Sequence, residues 1–171
     1  MELTVPVKTL VIGLGNPILG DDGVGWCVAE QVRSQLTTSQ VDVDCLSLGG
    51  ISLMERLIGY ERAILVDACI LDAEPGSVVV SKLEDLPDLS AFHTTNAHDM
   101  SLQNAMKLGK NLGAKLPDDV TVVGISARHI YDFSEELSPP VAEAVPKAAQ
   151  IVIELVMKTS QFIEEESHPP G

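Results

Sequence analysis

The chain has 171 residues, 45% of them hydrophobic but only 4% aromatic, which provides one domain with an aliphatic core and leaves too little for two. Eleven basic against 25 acidic residues give a formal charge of −14. That balance disfavours nucleic acid and anionic membrane as partners and suits a cation or a basic peptide.

In chain order, "KTLVIGLG" reads as a buried strand over Thr9–Ile12. A helix follows from Gly23 to about Leu36, with Val24, Cys27, Val28, Val32 and Leu36 on one face. "VDVDCLSL" alternates over Val41, Val43 and Cys45 and is a second strand. "ISLMERLIG" is a short helix ended by Gly59. "RAILVDAC" is a continuous apolar run into Asp67, as a fully buried strand requires. After the turn "EPGS", "SVVVSKL" is a fourth strand. With no helix between them, strand four is expected to run antiparallel to the others. Residues 84–97 read as a loop, Asp99–Leu112 as a helix and "DVTVVGIS" as a fifth strand. The closing helix opens at Pro139 or Pro140, where a first turn tolerates proline. Pro146 marks a kink or a later start. Strands alternating with helices make an α/β sandwich with a mainly parallel sheet. One domain is expected over residues 1–163, with 164–171 a disordered acidic tail.

The loop "GLGNPILGDDGVG" poses the functional question. A glycine-rich loop after a strand usually receives phosphate, but this one ends in Asp21 and Asp22, which repel an anion. The dinucleotide pattern also fails, because Ile18 stands where its third glycine belongs. Acids at a helix start favour the macrodipole, so N-terminal capping is one account of the pair. The other is a site. In an open parallel sheet, ligands sit beyond the carboxyl ends of the strands where strand order reverses. If strand one lies between two and three, Asp22 and Asp67 reach one solvent-accessible crevice. His98 precedes the next helix on a connection able to cross that edge, whereas His93 reads as an ordinary surface histidine. Two carboxylates and an imidazole suit a divalent transition ion with open coordination positions.

Other chemistries lack their residues. Cys27, Cys45 and Cys69 form no CxxC pair and read as reduced core thiols. There is no HExxH, and "GISAR" breaks the serine-hydrolase elbow at Arg128. No apolar run approaches the roughly 20 residues of a membrane span. The first residues lack a signal-peptide pattern, so a cytoplasmic location is expected.

Taken together, "VIGLGNPILGDDGVG", "AILVDA", "NAHDMSL" and "LSPPVAEAVP" resemble, in order, the maturation endopeptidases of nickel–iron hydrogenases. The resemblance covers nearly the whole chain. It implies a three-layer α/β/α sandwich on a five-stranded, mostly parallel, twisted sheet. It implies removal of a C-terminal extension from a hydrogenase large-subunit precursor after nickel insertion. Asp22, Asp67 and His98 fall on the family's metal-contacting positions and are the implied catalytic and metal-binding residues. The nickel is then carried by the substrate, with no permanent cofactor in the protease. Leu48 stands where many members carry an aspartate, and "SARHIYDFSEEL" differs from the commoner wording. Two other functions compete. A non-catalytic, nickel-dependent checkpoint protein would bind the same precursor without cutting it. A nucleotide-binding module is disfavoured by Ile18 and the acid pair.

Overall fold

The computed structural model describes residues 8–36, 39–87 and 100–166, with side chains through 158 in the last helix. The elements are β1 (Thr9–Leu14), α1 (Val24–Gln35), β2 (Val41–Leu46), α2 (Gly50–Leu57), β3 (Arg62–Cys69), β4 (Val78–Lys82), α3 (Leu102–Asn111), β5 (Asp119–Ser126) and α4 (Pro139–Glu166). The strands form one sheet in the order β2-β1-β3-β5-β4. β1 pairs with β2 and β3 in parallel, and β3 with β5 in parallel. β4 runs antiparallel to β5, as its short connection to β3 leads one to expect.

Side-chain alternation along the central strands fills two apolar layers. Val11, Ile64, Val66 and Ala68 point to the face covered by Val24, Val28 and Val32 of α1 and Val141, Ala148 and Val152 of α4. Leu10, Ile12, Ala63 and Leu65 point to the opposite face, against Leu53 and Leu57 of α2 and Ala105 and Met106 of α3. The result is the expected α/β/α sandwich. β3 is buried along its whole length, which its unbroken apolar sequence anticipates.

Several local expectations change. A 3₁₀ turn over Gly20–Gly23 precedes α1, so the first helix is entered through tighter winding. On α1, Gly25 and Ala29 join Val24, Val28 and Val32 inside, while Cys27 is exposed. Two adjacent i, i+4 rows form the buried stripe, and Cys27 falls just beside it. Of the three free thiols only Cys69 is buried, correcting the expectation of three core thiols. α3 starts after Ser101, whose hydroxyl accepts from the Asn104 N–H at 3.2 Å; this cap displaces the expected start at Asp99. α4 runs from Pro139 with Pro146 inside it, so that proline is not a later start. It stays helical through Glu166, into the segment expected as a tail, whose last residues 167–171 lie outside the described residues.

Candidate active site

Strand order reverses between β1 and β3, because the chain passes from β1 outward to β2 and returns to β3 on the other side. The loop after β1 therefore opens at the edge where β3 ends. Two glycines bring it close. A Cβ on Gly25 would stand 2.4 Å from the carbonyl oxygens of both Leu14 and Val66, so the first turn of α1 rests on the carboxyl ends of β1 and β3. Gly15 has φ +133°, and a Cβ there would lie 1.9 Å from the Asp22 carbonyl oxygen and 3.6 Å from its carboxylate carbon. Asp22 thus folds back over the residue that follows β1.

The loop is fixed from within. Asn16 Oδ1 accepts from the Ile18 N–H at 3.2 Å, closing a side-chain turn. The Asn16 N–H donates to Asp22 Oδ2 at 2.8 Å. Ser47, after β2, donates its hydroxyl to the Gly15 carbonyl at 2.5 Å. Asp67 lies on β3, one residue after the Val66 that pairs with Gly13 and directly beside Gly124 of β5. A glycine there leaves the neighbouring strand without a side chain next to this carboxylate. Asp67 shares the α2/α3 face of the sheet with Cys69, two residues on. Burial, and then the negative charge of Asp67, push the Cys69 thiol up to about 12. Cys69 therefore stays a neutral thiol beside the carboxylate at neutral pH.

The structure thus sets Asp22 and Asp67 at one sheet edge, as topology leads one to expect. It does not display them openly: they are 3% and 7% exposed. A buried carboxylate is costly unless it is bonded or charge-compensated, and the Asn16 N–H supplies one such bond to Asp22. His98 and His93 lie outside the described residues. Met100, two positions after His98, stands at the same edge, since a Cβ on Gly50 at the start of α2 would meet its carbonyl oxygen at 2.6 Å. Among the described residues, no group of three His, Cys, Asp or Glu is arranged around a metal position.

Asp21 takes a role that neither account of the acid pair assigned. It is 1% exposed and caps neither the 3₁₀ turn nor α1. Its Oδ1 accepts from the Ser138 N–H at 2.7 Å and its Oδ2 from the Ser138 hydroxyl at 2.8 Å. Ser138 immediately precedes α4, so the carboxylate sits at that helix's positive end. The sequence signal for Ser138 is its place before Pro-Pro, a recognisable helix start. Ser126 of the broken "GISAR" elbow is fully buried and donates to the Ala73 carbonyl at 3.2 Å, a structural bond.

Residues 27–155 match the family model described as hydrogenase maturation protease. The matched span contains Asp67 and position 98 and begins after Asp22. The HupD hydrogenase expression/formation protein of Rhizobium leguminosarum is 24% identical over 87% of this chain and 74% of its own length. The solved hydrogenase 2 maturation peptidase of a Thaumarchaeota archaeon is 32% identical, with a TM-score of 0.66 over 87% of this chain and 97% of that one. The maturating endopeptidase HybD of Escherichia coli superposes with a TM-score of 0.74 over 89% and 93%, and at 21% identity it supports the fold alone.

Proposed function

The chain belongs to the hydrogenase maturation protease family and is a peptidase, and from that premise we propose that it removes the C-terminal extension of a nickel–iron hydrogenase large-subunit precursor after nickel insertion. The observation that carries this reading is the placement of Asp22 and Asp67, two buried acids 45 positions apart, one in the turn after β1 and one on β3, at the switch point of one sheet. The sequence contains no GxSxG elbow to compete with them.

In this reading the nickel arrives with the substrate. Asp22, Asp67 and His98 contact it and so recognise a loaded precursor, since carboxylate and imidazole suit such an ion. The protease holds no permanent cofactor. Held at this edge, the scissile carbonyl is polarised by the cation while a carboxylate takes the proton of the attacking water. The new C–O bond forms at the carbonyl carbon, the C–N bond breaks, and the leaving nitrogen receives the proton. Burial strengthens each of these interactions by excluding bulk water. Among the described residues no helix is long and apolar enough to cross a membrane, and processing is assigned to the cytoplasm, where precursors are made.

Incubating the purified chain with a nickel-loaded precursor and weighing the products tests the proposal. The expected result is two masses summing to the precursor plus one water. A stable complex with an uncut precursor overturns it in favour of a binding checkpoint.

A further inference from the structure

The connection from β5 to α4, residues 127–138, is unusual for this chain. Only six of its 171 residues are Phe, Tyr or Trp, yet this loop turns two of them outward. Tyr131 is 73% and Phe133 87% exposed, while Ile130 between β5 and them is anchored in the core. Single exposed apolar residues need no explanation, but these belong to a group. The Ser134 N–H donates to the Ile18 carbonyl at 3.0 Å, and Ile18 is also exposed. The Gly20 N–H donates to the Ser134 carbonyl at 2.7 Å and the Asp21 N–H to the His129 carbonyl at 3.1 Å. With the Asp21–Ser138 bonds, the aromatic loop is stapled along its length to the loop bearing Asp22. Ile70, where the chain leaves β3 past Asp67, is exposed at the same edge.

We infer that Tyr131 and Phe133, with Ile18 beside them, are the specificity-determining anchors that dock the body of the precursor next to its cleaved segment. This rests on the processing function proposed above. The backbone staples fix the loop before binding, so little ordering cost remains when the rings are covered. Aromatic side chains on rigid supports are the usual energetic centres of protein interfaces. The loop also carries Asp132, Glu135 and Glu136 against the single Arg128, on a chain of formal charge −14. The occupant is therefore a protein surface with an apolar hollow bordered by Lys or Arg. The rim is bonded directly to the loop that bears Asp22, so rings seated on a precursor hold its body beside that loop.

The test compares Tyr131→Ser/Phe133→Ser with Leu112→Ser, which removes an equally exposed apolar side chain (77%) after α3, at the opposite sheet edge. Binding is measured by calorimetry with nickel-loaded precursor, each variant being made also in an Asp67→Asn background that prevents cutting. Cleavage is followed separately with Asp67 intact. The double variant should bind at least about tenfold more weakly, and its KM should rise with kcat nearly unchanged. Leu112→Ser should match the parent in both. Added salt should weaken parental binding by screening the basic border. Equal dissociation constants for the double variant and parent overturn the docking role, and salt-independent binding overturns the basic border. Aromatic-dependent binding without cleavage by the parent leaves docking standing and overturns the processing function instead. Phe133→Ser alone supplies the comparison if the double variant melts early.

Discussion

Asp21 accepts two hydrogen bonds from Ser138, 117 positions further along the chain, one from its N–H and one from its hydroxyl. The bonds join the loop after β1 to the start of α4 and leave the adjacent Asp22 to the sheet edge. Two neighbouring carboxylates of the same type thus do different work, one as a clamp and one facing the candidate site.

Asp21→Asn replaces a charged double acceptor by a neutral amide. Oδ1 can keep the Ser138 N–H, the hydroxyl must turn to accept from the new N–H, and both charge-assisted bonds become neutral ones. With the group buried, a cost of about 1–3 kcal/mol in stability is expected, read as a lower denaturant midpoint. Ser138→Ala should cost less, since the N–H bond survives. Processing by Asp21→Asn should fall far less than by Asp22→Asn. Equal losses would show that the clamp and the site are not separate.

The sheet was legible because its signals are local. The unbroken apolar run of β3 and the missing helix between β3 and β4 give strand type and direction from neighbouring residues alone. The convergence of Asp22 and Asp67 followed from the position of β1 between β2 and β3. The Asp21–Ser138 clamp could not be read this way, because a hydrogen bond between distant residues leaves no periodicity in either segment. Burial of the acids was likewise hidden, since it depends on how closely Gly15 and Gly25 let the loop descend onto the strands.

Gly15 and Gly59 separate strain from collision. Both have positive φ, +133° and +91°, where an L side chain is disfavoured. A Cβ on Gly59 would meet nothing within 4 Å, so Gly59→Ala should cost only about 1–2 kcal/mol and leave processing intact. At Gly15 an added methyl collides with the Asp22 backbone. Gly15→Ala should destabilise the fold further, and at a temperature where it remains folded it should lose processing because Asp22 is displaced. Parental processing rates in folded Gly15→Ala would count against a fixed Asp22.

Cys45 gives a pH dependence with a definite sign. Burial, then a bond from its thiol to Glu30 Oε1 at 3.4 Å and the charge of that carboxylate, push its pKa to about 11 from an ordinary 9.0. The native state holds this proton more tightly than the unfolded chain. Its contribution is therefore complete below pH 9 and is lost as pH rises towards 11. Urea midpoints measured at pH 8 and pH 10.5 should fall more for the parent than for Cys45→Ala. Identical falls would remove Cys45 as the source.

The candidate site itself is tested by metal and substrate together. Asp22→Ala, Asp67→Ala and His98→Ala should each abolish processing of a nickel-loaded precursor while circular dichroism still reports a folded chain. Three side chains leave further positions open on a transition ion, and those positions are where the precursor's own ligands belong. A precursor whose nickel-binding cysteines are replaced cannot offer the shared ion. Recognition would then lack the bond shared through that ion, so little or no cleavage is expected even with free nickel or zinc added. A protease with its own metal would behave otherwise and cut this substrate once supplied with the ion. Efficient cleavage of the cysteine-free precursor at the authentic position would therefore defeat recognition through substrate-borne nickel, and loss of cleavage in all three alanine variants alongside it would place a resident metal at the same side chains.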